Sequence, residues 1–317
     1  MAMATIGNSG AAERRVEDEI FRRGRDLRGS GFRTMLFAAL AISILFLVVL
    51  LIQVFVDGWP VLDERFGDFW SGTLRSRSSD DKLGISQGMI GSFWIAVFVA
   101  VIAFPLGIAA AIYLEEYAPD NIVTKTIDIA IRNLAGVPSV VYGLLGLFLF
   151  VQTRELKDST LYAGGITLAI LVLPIVVITA AEAIRAVPSS LRQGAYGVGA
   201  TKWDVIRTQI LPFAAPGVLT GTLLALSRAV GEAAPLILVG AITGRLAPRD
   251  GSFLSLEQFS DRFTAMPIVI VGWVQESGRD AGFSAAAGAA IVVLLAFVIS
   301  MNSVAVVLRN YFEKKRG

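Results

Sequence analysis

Six stretches of this chain are apolar over a length that matches the hydrocarbon layer of a bilayer, and that repetition narrows the possible folds more than any single motif. They run from Thr34 to Val56, Met89 to Tyr113, Ile127 to Val151, Leu161 to Ile184, Phe213 to Ile242 and Ser284 to Leu308. Backbone polar groups in lipid must be bonded internally, so such runs predict helices. The expected fold class is all-α, a polytopic membrane protein with six transmembrane helices. Composition agrees: 55% of residues are hydrophobic, 17% are charged, and the mean hydropathy is +0.66. The fifth run, at about 30 residues, exceeds the roughly 20 that a bilayer requires. It is expected to tilt or break around Gly231 and Pro235, and Pro138 marks a further helix break in the third run. Pro105 lies inside the second run and Pro174 inside the fourth.

The polar intervals divide the chain into an N-terminal tail (1–33), a first helix with its following loop (34–88), a main transmembrane domain (89–309) and a short C-terminal tail (310–317). In the first tail, Glu13 to Arg28 mixes both charge signs around Val16, Ile20 and Leu27. An amphipathic helix lying on the membrane and a disordered tail both fit that pattern. Thr34 to Val56 is too long for a secretory h-region, and no small-residue cleavage site follows, so it reads as a retained helix. Asp57 to Gly88 reads as a polar loop with Trp59, Pro60 and Trp70 near membrane level. If the N-terminus is cytoplasmic, 17 Lys and Arg fall in cytoplasmic segments and 10 on the opposite side, with Arg228 in between. That bias predicts both termini inside.

The chain has no Cys and no His, which excludes disulfides, thiolate nucleophiles, imidazole bases and the common zinc and haem ligand sets. No metal site is expected. Nothing has the Gly-x-x-x-x-Gly-Lys-Ser/Thr form of a phosphate-binding loop, so the chain is expected to bind neither ATP nor another cofactor. If it serves an ATP-driven pump, it is a non-catalytic pathway subunit and hydrolysis takes place on another chain.

Two polar features remain. The interval from Ser189 to Pro212, SSLRQGAYGVGATKWDVIRTQILP, lies between two strongly apolar runs, and the charge bias places it in the cytoplasm. Pro188 suits a first helical turn, and Ser189 or Ser190 can cap it. Gly194, Gly197 and Gly199 are expected to break that helix, and Thr201 with Asp204 has the spacing of a capping box that starts a second one. Two short helices at a glycine elbow form a knob that a partner can grip. The second feature is Arg228 with Glu232 in the fifth run, at i and i+4, the spacing of one helix face. A membrane charge costs at least about 2.5–3.5 kcal/mol, and such residues usually face a polar cavity. Arginine also suits bidentate contact with an oxyanion. Two further readings fit: a structural ion pair, and an arginine snorkelling to the outer surface, since Arg228 lies about 24 Å along a helix from Pro212 at 1.5 Å per residue.

The first of these stretches resembles the EAA loop of binding-protein-dependent ABC importer permeases. Gln193-Gly194-Ala195 takes the Glu-Ala-Ala place, Gly199 the conserved-pattern glycine and Gln209-Ile210-Leu211-Pro212 the end. Gln193 departs from the acidic residue and Gln209 from the isoleucine of that pattern. RAVGEAAPL (Arg228 to Leu236), AAAIYLEEYAP (Ala109 to Pro119), NLAGVPSVVYGLLGL (Asn133 to Leu147) and MPIVIVGW (Met266 to Trp273) are similar to segments of phosphate-specific transport permeases of the PstA type. The paired phosphate permease has an acidic residue and Thr-Met where Ala233-Ala234-Pro235 stands, which favours the PstA member.

The resemblance implies the type I ABC importer permease (MetI-like) fold in a bacterial or archaeal plasma membrane. It implies a heterodimer with a second phosphate permease, two cytoplasmic ATPase subunits and an extracytoplasmic phosphate-binding protein. By the same resemblance, coupling to the ATPases falls to Gln193, Gly194, Ala195, Gly199, Trp203, Leu211 and Pro212, and the pathway to Arg228 and Glu232. Other readings are an importer of another oxyanion such as molybdate or sulfate, a secondary transporter, and a membrane-embedded enzyme. The last is the weakest, given few membrane carboxylates and no His or Cys.

Overall fold

Helices carry nearly all of the described backbone, as internal hydrogen bonding in an apolar medium requires. The computed structural model describes residues 27–152, 159–244, 246 and 259–314. The segment Glu13 to Arg28, read above as amphipathic helix or tail, lies outside the described residues up to residue 26.

The chain divides into two units, residues 1–53 and 54–317. In the first, helix α1 (Leu27–Glu64) begins, and its residues 29–53 are almost all exposed, as an apolar helix bound for lipid would be. The second unit contains the end of α1, then α2 (Phe66–Ser71) and α3 (Ser86–Ile112), which runs on into a π-helical turn, Tyr113–Tyr117. Next come α4 (Ile122–Ala135), α5 (Ser139–Gly146) with a π-turn at Leu147–Val151, and α6 (Leu161–Arg185). Beyond them lie α7 (Ser189–Gly197), α8 (Lys202–Val205), a π-turn at Ile206–Ile210 and α9 (Leu211–Gly231). The unit closes with α10 (Ala234–Leu238), α11 (Met266–Glu276) and α12 (Gly282–Lys314). Among the described residues, five helical stretches are long and apolar enough to cross a membrane, and the count is six if the bent pair α4–α5 is one span.

That pair revises the expected third span. It is two helices meeting at 97°, not one rod. The break falls at Gly136-Val137-Pro138, where proline's missing amide and its restriction on the preceding residue favour a new helix start. Tyr142, 6% exposed, holds the bend by donating its hydroxyl to the Leu134 carbonyl at 2.9 Å.

The bundle is organised around α6. In its most apolar window 67% of residues are buried, against 33% for α3, 44% for α9 and 39% for α12. Small residues let its neighbours approach: a Cβ on Gly107 of α3 would lie 2.6 Å from Val176, and one on Gly221 of α9 2.4 Å from Thr179. A second cluster, with Phe69, Leu83, Ile85, Met266, Trp273 and Phe283 all buried, sits at the N-terminal end of α3.

This second cluster also shows that Asp57 to Gly88 is not a plain polar loop. α1 continues to Glu64 with Pro60 inside it, and a turn closed by a bridge between Thr73 and Leu83 packs Leu74 and Leu83 into the same cluster as Val61. The turn is tied down by Asp280, whose carboxylate accepts hydrogen bonds from the Ser78 hydroxyl, the Ser78 amide at 2.9 Å and the Gly282 amide at 3.1 Å. These bonds, the Ser78 hydroxyl's first, hold the Asp280 carboxyl below the usual carboxylate value. A lowered folded value means a contribution present above the ordinary carboxylate range and lost as pH falls through the lowered value. Hydrogen exchange of residues 72–84, corrected for intrinsic rates, is expected to quicken several-fold in Asp280→Ala at neutral pH. In the wild type the same loosening should begin only below the ordinary carboxylate range. Equal exchange in both proteins at neutral pH would show that the tie is not holding the turn.

Candidate coupling surface and translocation pathway

The candidate coupling surface begins where α6 runs out. Pro188 is the N-cap of α7, and no side chain caps it, so neither Ser189 nor Ser190 takes the role expected of it. Gly194 lies inside α7 instead of breaking it; the helix ends at Gly197, and the turn falls at Val198 to Ala200. Gly199 carries that turn with φ +85, and a Cβ there would meet nothing within 4 Å, so glycine is required by backbone conformation and not by crowding. α8 then starts on a full capping box: the Asp204 amide donates to Thr201 Oγ1 at 3.3 Å, and the Thr201 amide to Asp204 Oδ2 at 3.2 Å.

One face of this elbow is fixed and the other is free. Val205, Ile206 and Ile210 are fully buried against Ala111, Ala181 and Ile184, with Ala195 and Ala200 partly buried beside them. No residue of α7 is buried. Gln193 and Gly194 are exposed, as are Tyr196, Val198 and Trp203, the last at 55%. A Cβ on Gly194 or Gly197 would meet nothing within 4 Å among the described residues, so their small size serves no packing there. Leu211 is half-buried and Pro212 exposed at the first turn of α9.

Arg228 and Glu232 lie together at the other end of α9. Arg228 Nε is 3.3 Å from Glu232 Oε1. They do not share a helix face, because α9 stops at Gly231 and Glu232 is extended (φ −81, ψ 120). The carboxylate reaches back from the cap position, with the Glu232 amide donating to the Ala229 carbonyl. Arg228 is 53% exposed at its side chain and Glu232 19%, and the remaining guanidinium N–H groups make no hydrogen bond among the described residues. Past the break, Pro235 stands in the first turn of α10 and is buried. A Cβ on Gly143 of α5 would lie 2.6 Å from Pro235 Cα. Two segments nearly ninety residues apart, GVPSVVYG and GEAAP, are thus packed backbone to backbone.

Sequence reasoning missed the ion pairs that gather around the root of the glycine elbow. Glu115 pairs with Arg185, and Glu116 with Arg192 at 3.1 Å. Arg132 lies 3.9 Å from Glu182, and Lys202 sits 5.0 Å from the Tyr117 ring centre. The only local signal was the adjacent Glu115-Glu116 ending an apolar run; their partners are 70 and 76 residues away, beyond any spacing rule. No group of three acidic or imidazole side chains placed to hold a metal occurs among the described residues.

Residues 103–316 match the family described as "Binding-protein-dependent transport system inner membrane component". The chain belongs to that family. The permease is 31% identical to the phosphate transport system permease protein PstA 1 of Mycobacterium tuberculosis, over 96% of each chain. It is 36% identical to a probable ABC transporter permease of Bacillus subtilis, YqgH, over 73% of this chain and 77% of that one. It is also 31% identical to the PstC permease of Haemophilus influenzae, over 63% of this chain and 70% of that one. Its fold is similar to that of a bacterial alginate ABC transporter solved with a pentasaccharide-bound periplasmic protein, with a TM-score of 0.60 at 13% identity, over 89% of this chain and 96% of that one. The permease therefore has the all-α, MetI-like importer fold, and it is a membrane component of an ABC importer.

Proposed function

We propose that the permease carries inorganic phosphate inward, as half of a heterodimer with a second phosphate permease. Its other partners in this reading are two cytoplasmic ATPase subunits, which hold all the bound ATP, and an extracytoplasmic phosphate-binding protein. Both termini are cytoplasmic, so α7 and α8 face the ATPases. The single observation that carries the substrate is Arg228: a half-exposed guanidinium, steadied at Nε by Glu232, at the point where α9 breaks. A planar cation with its outer N–H groups unengaged is suited to tetrahedral oxyanions, and the partial pairing keeps it from being a bare charge in lipid. Similarity to PstA proteins along nearly the whole chain supports phosphate over other oxyanions.

In this mechanism the ATPases grip the exposed faces of α7 and α8, with Gln193 and Gly194 of α7 and Trp203 of α8 as contacts. The Gly199 elbow moves with the segment anchored by buried Val205, Ile206 and Ile210 as one lever, and the bundle around α6 switches between outward- and inward-open states. Radiolabelled phosphate uptake tests the substrate, in cells lacking other phosphate importers and expressing the permease with its partners. Uptake should appear with the permease and resist excess sulfate and molybdate. Uptake of sulfate or molybdate in place of phosphate would overturn the assignment while leaving the importer intact.

A further inference from the structure

We propose that the Glu116–Arg192 pair is the joint through which α7 drives α3, made in one transport state and broken in another. This inference rests on the reading of α7 as the ATPase contact. α7 fully buries no residue of its own, and its apolar packing on the bundle is limited to small residues such as the partly buried Ala195. Its firm attachment is Arg192, which reaches two other elements at once: Nη2 donates to the Ile184 carbonyl near the end of α6 at 2.9 Å and lies 3.1 Å from Glu116 Oε1 on α3's terminal π-turn. That π-turn sets consecutive carboxylates to different tasks, Glu115 to Arg185 of α6 and Glu116 to Arg192 of α7.

The two pairs differ in how well they are satisfied. Arg185 grips Glu115 through two nitrogens on two oxygens, at a site where the arginine is 56% exposed; this is a staple between α3 and α6. The Glu116 side chain is only 8% exposed, yet its Oε1 makes no hydrogen bond, because the Arg192 contact is off-angle, and Arg192 Nε is likewise buried without a partner. A partly buried pair that leaves hydrogen-bonding capacity unused falls short of its most favourable energy. A small displacement of α7 therefore either completes the pair or releases it, and in both cases the end of α3 is moved.

The test uses the assembled complex in proteoliposomes, with Glu116→Gln, Arg192→Gln and the exchange Glu116→Arg/Arg192→Glu. Each single variant should assemble and hydrolyse ATP at a basal rate within about twofold of wild type, and lose at least tenfold of its phosphate uptake. The exchange should restore a measurable part of that uptake. Normal uptake in the single variants overturns the proposal. So does loss of assembly in the singles that the exchange fails to repair, since that marks a folding contact. The second arm needs no transported substrate. The chain has no cysteine, so Tyr117→Cys and Leu191→Cys, beside the two members of the pair, accept spin labels uniquely once the partner subunits are cysteine-free. Trapping ATP should shift the label-to-label distance; an unchanged distance shows a rigid contact and overturns the joint. A wild-type complex that takes up no phosphate would sink the substrate reading alone, leaving the distance measurement to judge the joint.

Discussion

Gly199→Val is expected to leave the permease in the membrane at normal level and to cut ATP-driven uptake at least about tenfold, while ATP hydrolysis by the complex persists. The backbone at 199 has φ +85, a region that costs an ordinary L-residue about 1–2 kcal/mol and a β-branched one more. Because a Cβ there would touch nothing, the variant is not excluded by sterics; it adopts another backbone conformation and re-aims α7 against α8. A series separates this from general damage. Asn tolerates the left-handed region and should retain most uptake, Ala should fall between, and Val should be worst. Uptake and hydrolysis measured side by side at matched protein level make the comparison. A Val variant that transports at the normal rate would remove the elbow from the coupling mechanism.

Arg228→Lys should reduce phosphate uptake by about tenfold or more with folding intact, because lysine keeps the charge and loses the planar fork. Glu232→Gln removes the carboxylate that Arg228 Nε faces at 3.3 Å, so both assembly and uptake should fall. The decisive variant replaces Arg228 by Leu and Glu232 by Met together. If the pair were only structural, a volume-matched apolar substitute would restore expression and transport alike. If Arg228 meets the anion, the double variant is well expressed and inactive. Labelled phosphate uptake by that variant, in cells without other phosphate importers, decides between the two.

What the sequence alone determined follows from rules of short range. Membrane spans are set by about 20 apolar residues and by internal hydrogen bonding, so α1, α3, α6, α9 and α12 were legible from composition along the chain. The Thr201–Asp204 cap spans three residues, and the glycine elbow is a property of one backbone position. Where the local rule was underdetermined, the expectation missed. Pro138 was legible as a break, but not the 97° bend, which depends on Tyr142 reaching Leu134 and on Gly143 meeting Pro235. The i, i+4 spacing of Arg228 and Glu232 predicts a shared helix face only if the helix continues, and it stops between them. Asp57 to Gly88 reads as a loop because its burial comes from Trp273 and Phe283, some two hundred residues on. Only the tertiary structure could decide which carboxylate meets which arginine around the root of the glycine elbow. Charge pairs form wherever packing brings helix ends within a few ångströms, and the order of residues along the chain carries no record of that distance.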